Sequence, residues 1–175
     1  SKKLTSLLAP MDDKSRDLFN TVANTVIPLD PSIRPSAIKT FLDYVQGNDA
    51  AITNYLNASV SSKADDVLKH WLRQDMQALN AVASNSAAIV TGGVTLQHVV
   101  AYEVGQTIQF NSPLLLAENA SDVVLQIENA KGLGIDLNEL NAGHGVLMPM
   151  GLSFEVVSIE ALNGKMIYTL KALVN

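Results

Sequence analysis

Asp136, Glu139 and His144 fall together in IDLNELNAGHG (residues 135–145), and their types and spacing come nearest to acid–base chemistry in this chain. A carboxylate can hold or accept a proton, and an imidazole titrates near neutral pH. The rest of the inventory is thin. His144 stands between Gly143 and Gly145, the setting of a solvated loop residue. His70 and His98 are isolated, and three histidines without paired carboxylate spacing do not make a metal site. Ser112, Ser121 and Ser153 sit in no nucleophile motif. The absence of cysteine excludes a thiol nucleophile, a disulfide framework and thiolate metal ligands. Asn57-Ala58-Ser59 and Asn119-Ala120-Ser121 match the glycosylation pattern, but the apolar patch in SKKLTSLLAP is too short for a secretory core, so both are read as accidental.

Composition narrows the partners. Hydrophobic residues make up 47% of the 175 residues and charged residues 17%, against about 25% charged in an average domain. Such a composition fits a surface that meets a protein partner or self-assembles, and equally a compact domain with a large core. No run approaches the ~18 apolar residues of a membrane span. Residues 1–84 carry nine Lys+Arg and nine Asp+Glu, whereas residues 85–175 carry three lysines against eight acids, which places the whole net charge of −5 in the second half. Arg16, Arg34 and Arg73 all lie in the first half. No basic stripe exists for phosphates, which argues against nucleic acid.

Positioning these residues requires two kinds of element, and the pattern changes near residue 84. Before it, apolar residues recur at helical spacing: Leu18, Phe19, Val22 and Val26, then a helix from Pro35 to a stop at Gly47. NDAAITNYLN predicts a short helix capped by Asn48 or Asp49. A long helix from about Ala64 to Val82 is expected to turn Val67, Leu68, Trp71, Leu72, Met76 and Leu79 inward, with Trp71 as a core anchor. After residue 84 the period falls to two. AAIVTGGVTLQHVV, QTIQF, DVVLQIE, GVLMPM, LSFEVVSIE and KMIYTLKAL read as strands, with turns at Gly92-Gly93 and Asn163-Gly164. The expectation is an α+β domain over 1–175, a helical lobe (1–84) packed on a mostly antiparallel β lobe (85–175). Its core should also hold Ile108, Phe110, Val124, Leu125, Ile127, Leu147, Phe154, Val156, Ile167 and Leu170.

The order of AAITNYLN, the long helix, AIVTGGV, VGQTIQFNSPLLLA, DVVLQIENAKGLGIDLN and GVLMPMGLSFEVVSIEALNGKMIYTLKAL resembles that of mono-ADP-ribosyltransferases of the bacterial exotoxin and phage type. The resemblance covers roughly residues 48–173, and its closing Leu-x-Pro-x-Gly step is the most specific part. It implies a helical lobe, strands that close in a final hairpin, and three signature positions. Where the family has arginine, this chain has Gly92. Where it has Ser-Thr-Ser, this chain has Leu115-Leu116-Ala117. Where it has Glu-x-Glu, this chain has Gly143-His144-Gly145.

In that family an arginine grips the diphosphate of NAD and a carboxylate stabilises an oxocarbenium-like transition state. Glycines supply neither group, and an acidic half without arginine repels a dianion. The resemblance therefore implies a degenerate, non-catalytic ADP-ribosyltransferase-like domain with no cofactor, serving as a docking or structural module of a toxin or a phage virion. The alternative is a divergent transferase or NAD-binding protein that relocates its site to Glu139 or His144. An inhibitor or decoy is a third class, and sequence does not separate it from the first.

Overall fold

Each helix in the first half begins where the sequence provides a start. A computed structural model describes residues 12–82, 84–94, 102–110, 112–118 and 121–173. Asp12 accepts a hydrogen bond from the Ser15 amide at 2.8 Å and opens α1 (Asp13–Val26). Pro35 occupies the first turn of α2 (Pro35–Asp43), where its missing N–H costs nothing. A widened turn, Tyr44–Asn48, bends the chain at Gly47 (φ +116°) and leads into α3 (Asp49–Asn57). Ser62 accepts from the Asp65 amide at 3.1 Å to cap α4 (Lys63–Ala78), and a 3₁₀ turn (Leu79–Val82) ends the run.

These helices, together with Asn138–Gly143, form one compact unit, and the described residues from 84 to Leu137 and from His144 onward form a second. The core of the first unit includes Val22, Val26, Ile38, Phe41, Leu42, Ile52, Leu56, Leu72, Met76, Leu79 and Leu140. The expected inward face of the long helix needs correction. Leu72, Met76 and Leu79 are buried and Leu68 is half-buried, but Val67 is 49% and Trp71 48% exposed. At 3.6 residues per turn, Trp71 lies about 100° around the helix from Leu72. The core-facing positions are completed instead by Lys69 and Asp75.

Those two charges are buried because each has a task. The Lys69 ammonium donates to the carbonyls of Ala58 (2.6 Å) and Ser59 (3.1 Å) and pairs with Asp65 at 3.3 Å. Arg73 donates to the Leu56 carbonyl at 2.8 Å. Together they satisfy the carbonyls left open at the C-terminal end of α3, where a positive charge also meets the negative end of the helix dipole. Asp75 is paired with Arg34. Asp65 also accepts from the Tyr55 hydroxyl and, at 3.0 Å, from the Ser61 amide.

The second unit contains two sheets. Strands β1 (Ile89–Val94), β4 (Val123–Glu128), β8 (Lys165–Leu173), β7 (Ser153–Leu162) and β2 (Thr107–Gln109) lie in the order β1-β4-β8-β7-β2, and β3 (Leu114–Leu116), β6 (Val146–Met148) and β5 (Ile135–Asp136) form β3-β6-β5. All pairings are antiparallel except β4 with β8. Asn163 (φ +52°) and Gly164 (φ +78°) make the expected two-residue turn between β7 and β8. Ile108, Phe110, Leu125, Ile127, Leu147, Phe154, Val156 and Leu170 are buried as expected, whereas Val124 and Ile167 are half-buried on the other face. The QTIQF segment forms β2, whereas His98 and the strand pattern around it lie outside the described residues.

Two predictions follow from this packing. Phe154, 1% exposed with its ring tilted at 60° to that of Phe110 at 5.7 Å, should cost about 3–5 kcal/mol on replacement by alanine, read from denaturant unfolding. Hydrogen bonds from Tyr55 and Ser61 lower the Asp65 carboxyl to about 2. A carboxyl depressed in the folded state stabilises above its unfolded value near 4 and loses that contribution as pH falls towards 2. Melting curves of Asp65→Asn should therefore vary less than those of the parent between pH 5 and 2.

Candidate functional site

Three backbone segments of the second unit meet without side chains between them. Residues Gly92-Gly93 lie inside β1, opposite Leu125 and Val124 of β4. Leu116 ends β3, and the Gly93 amide donates to the Ala117 carbonyl at 2.9 Å, so that Gly93 and Ala117 bridge the two sheets. Gly145 immediately precedes Val146, which pairs with Leu116 across β3 and β6. The expected turn at Gly92-Gly93 is thus corrected to a strand. The physical reason is that glycine serves a close backbone approach as well as it serves a turn.

The closeness is measurable. A Cβ on Gly92 would stand 2.6 Å from the Ala117 nitrogen and 2.7 Å from the Leu116 carbonyl carbon. A Cβ on Gly145 would stand 2.3 Å from the Leu116 oxygen and 3.1 Å from the Ala117 Cα. Gly145 also has φ +103°, a region that side-chain-bearing residues rarely adopt. Its carbonyl accepts from the Leu137 amide at 3.0 Å, which fixes it from the other side. The structure therefore brings Gly92, Leu116 and Gly145 together on one short piece of backbone.

This seam offers little chemistry of its own. Leu116 is buried, Leu115 is half-buried opposite Leu147, and Ala117 is half-buried. None of Gly92, Gly93, Leu115, Leu116, Ala117 and Gly145 has a titratable or hydrogen-bonding side chain. Gly143 (φ +141°) and Glu139 are exposed in the segment that groups with the helices, while the exposed His144 belongs to the second unit. Asp136 is half-buried in β5, where its amide donates to the Ser84 hydroxyl at 2.9 Å. The Ser121 hydroxyl donates to the Val94 carbonyl and accepts from the Val123 amide at 3.2 Å, a structural tie between β1 and β4. Ser112 is buried and Ser153 accepts from the Gln109 side chain at 3.5 Å. Among the described residues no three His, Asp or Glu side chains group as metal ligands. The role of Gly93 and Ala117 was missed in the sequence, although two adjacent glycines in a β-branched run are a signal of close approach.

The fold is one already seen in solved proteins. No family model matches the sequence, and no curated protein matches it. The Vis toxin of Vibrio splendidus, an ADP-ribosyltransferase, superposes with a TM-score of 0.59 at 13% identity, covering 96% of this chain and 89% of that one. The type III effector XopAI of Xanthomonas axonopodis pv. citri gives 0.63 at 11% identity, covering 92% and 73%. Exoenzyme S of Pseudomonas aeruginosa, solved with human 14-3-3 protein beta and carba-NAD, gives 0.58 at 13% identity, covering 89% and 87%. The protein has the ADP-ribosyltransferase fold, an α+β arrangement, as the order of its segments implied.

The seam's tightness has a direct test. Gly92→Ala and Gly145→Ala should each destabilise the protein by at least about 2 kcal/mol, because the new methyl group meets backbone rather than a movable side chain. Gly151→Ala, also at positive φ (+84°) but with nothing within 4 Å, should cost only about 1 kcal/mol. Denaturant midpoints of the three variants separate strain at one residue from collision across the seam.

Proposed function

We propose that this protein is a non-catalytic ADP-ribosyltransferase-like module that works through protein interaction or as a structural part, such as a docking domain of a toxin or a virion component. The observation that carries the reading is the closed seam. Gly92, Leu115-Leu116-Ala117 and Gly143-His144-Gly145 are the positions to which the family resemblance assigns the arginine, Ser-Thr-Ser and Glu-x-Glu, and the seam holds Gly92, Leu116-Ala117 and Gly145. There the chain lacks the required side chains, and at Gly92 and Gly145 backbone fills the space in which a first side-chain carbon would start.

The residues at this place do not fit NAD. Gly92, Leu115, Leu116 and Gly145 supply no cation to grip a diphosphate, no hydroxyl to orient the ribose and no carboxylate to face a developing positive charge. Leucine at 115 and 116 would leave polar groups of a dinucleotide against apolar surface, which is a further penalty. The low charge content of the chain and the exposure of Val67 and Trp71 support contact with protein. Among proteins of this fold, exoenzyme S provides a precedent for binding a protein partner.

NAD is the ligand that decides between readings. At about 100 times its dissociation constant a ligand adds about 2.7 kcal/mol of stability, which for a domain of this size raises the melting temperature by about 5–10 °C. Millimolar NAD should produce no shift, and prolonged incubation should release no nicotinamide. A shift that Glu139→Gln or His144→Ala abolishes, and Lys131→Ala does not, would replace this reading with that of a relocated active site.

A further inference from the structure

The exposed face of α4 is complementary to itself. We infer that it is a two-fold interface on which a second copy of this chain docks with its α4 antiparallel. Val67 and Trp71 lie one turn apart on one flank of this face, and Asp66 and Arg73, two turns apart, lie on the other, Arg73 with one guanidinium nitrogen on the Leu56 carbonyl. All four residues are exposed. Two helices related by a two-fold axis perpendicular to them run antiparallel and meet like flank to like flank, so each residue on a flank needs a complement elsewhere on that same flank. The two pairs satisfy this with nearly the same centre, at Lys69 for Val67 with Trp71 and half a residue beyond it for Asp66 with Arg73. One docking register therefore sets Val67 against the partner's Trp71 and Asp66 against the partner's Arg73, twice over. Antiparallel helix dipoles add to the attraction.

Trp71 is prepared for such a contact. The Arg34 guanidinium lies 4.6 Å from its ring centroid, and Arg34 is itself fixed by Asp75. The His70 ring meets its edge at 5.5 Å. An aromatic side chain held in place before binding loses little entropy on docking, and tryptophan and arginine are the residue types that dominate contact energies. A helix of 16 residues is about 24 Å long. One such pair covers less than the ~1,200–2,000 Å² of a standard interface, so the dimer should be weak and concentration-dependent. This inference rests on the helical unit alone and stands apart from the closed seam.

Sedimentation velocity of the whole chain, from low micromolar to millimolar concentration, tests it. The protein should pass from monomer to dimer. Val67→Glu and Trp71→Lys, both at exposed positions, should each weaken the dimer at least about tenfold. Asp66→Arg should weaken it by placing like charges together, whereas Asp66→Glu, which keeps the charge and leaves Arg73 on the Leu56 carbonyl, should not. Thermal melting of each variant at low concentration establishes that it is folded. Val104→Lys, a change at a residue 63% exposed in the second unit, should leave association unchanged. A chain that stays monomeric throughout, a dimer indifferent to Val67→Glu and Trp71→Lys, or equal disruption by Val104→Lys would overturn the assignment.

Discussion

Main chain can lie against main chain only where no side chain stands between, and the second unit is organised around one such place. Leu116-Ala117 touches β1 at Gly92 and the approach to β6 at Gly145. The Gly93–Ala117 bridge then joins the five-stranded sheet to the three-stranded one. β1 is held by six residue pairs to β4, and β3 by three to β6, so the seam couples the registers of both sheets. A hydrogen atom on Cα is the largest substituent that this geometry admits at either glycine. The same constraint bears on function, because a catalytic side chain has to begin with a Cβ.

The helical unit is built on a different principle. Its interior admits Lys69 and Asp75 because each finds partners there, and an unpaired buried charge would be far more costly than a paired one. Meanwhile Val67 and Trp71 face outward. Charge inside and apolar surface outside is the reverse of the usual distribution. Each inversion traces to a specific contact, the carbonyls at the end of α3 for Lys69 and the stacked Arg34 for Trp71.

Local signals were legible in the sequence, and long-range ones were not. Alternation in DVVLQIE and KMIYTLKAL marked β4 and β8 because one face of each is buried. Asn163-Gly164 was readable because few dipeptides tolerate two successive positive φ angles. Gly92-Gly93 was misread because the reason for those glycines lies in Leu116-Ala117, far along the chain. Trp71 was misplaced because its neighbours Leu68 and Leu72 made the apolar stripe look wider than the buried face is. Nothing in the sequence around Lys69 reveals that its ammonium ends on the Ala58 and Ser59 carbonyls. The meeting of Gly92, Leu116 and Gly145 was likewise invisible to periodicity, and the family resemblance alone named these residues together.

The capping of α3 by Lys69 and Arg73 also bears on how the chain folds. The bonds from Lys69 and Arg73 span only 10 to 17 residues along the chain, so they close short loops at small entropic cost. A helix of nine residues is marginal alone, and α3 gains its terminal partners only once α4 has formed alongside it. Unfolding of α4 therefore strips the end of α3 of its partners, so α3 is no more stable to local opening than α4. The β unit depends on distant pairings such as β1 with β4, which are slow to nucleate. The helical unit, whose caps are tied over short stretches of chain, is accordingly better suited to acquire structure first.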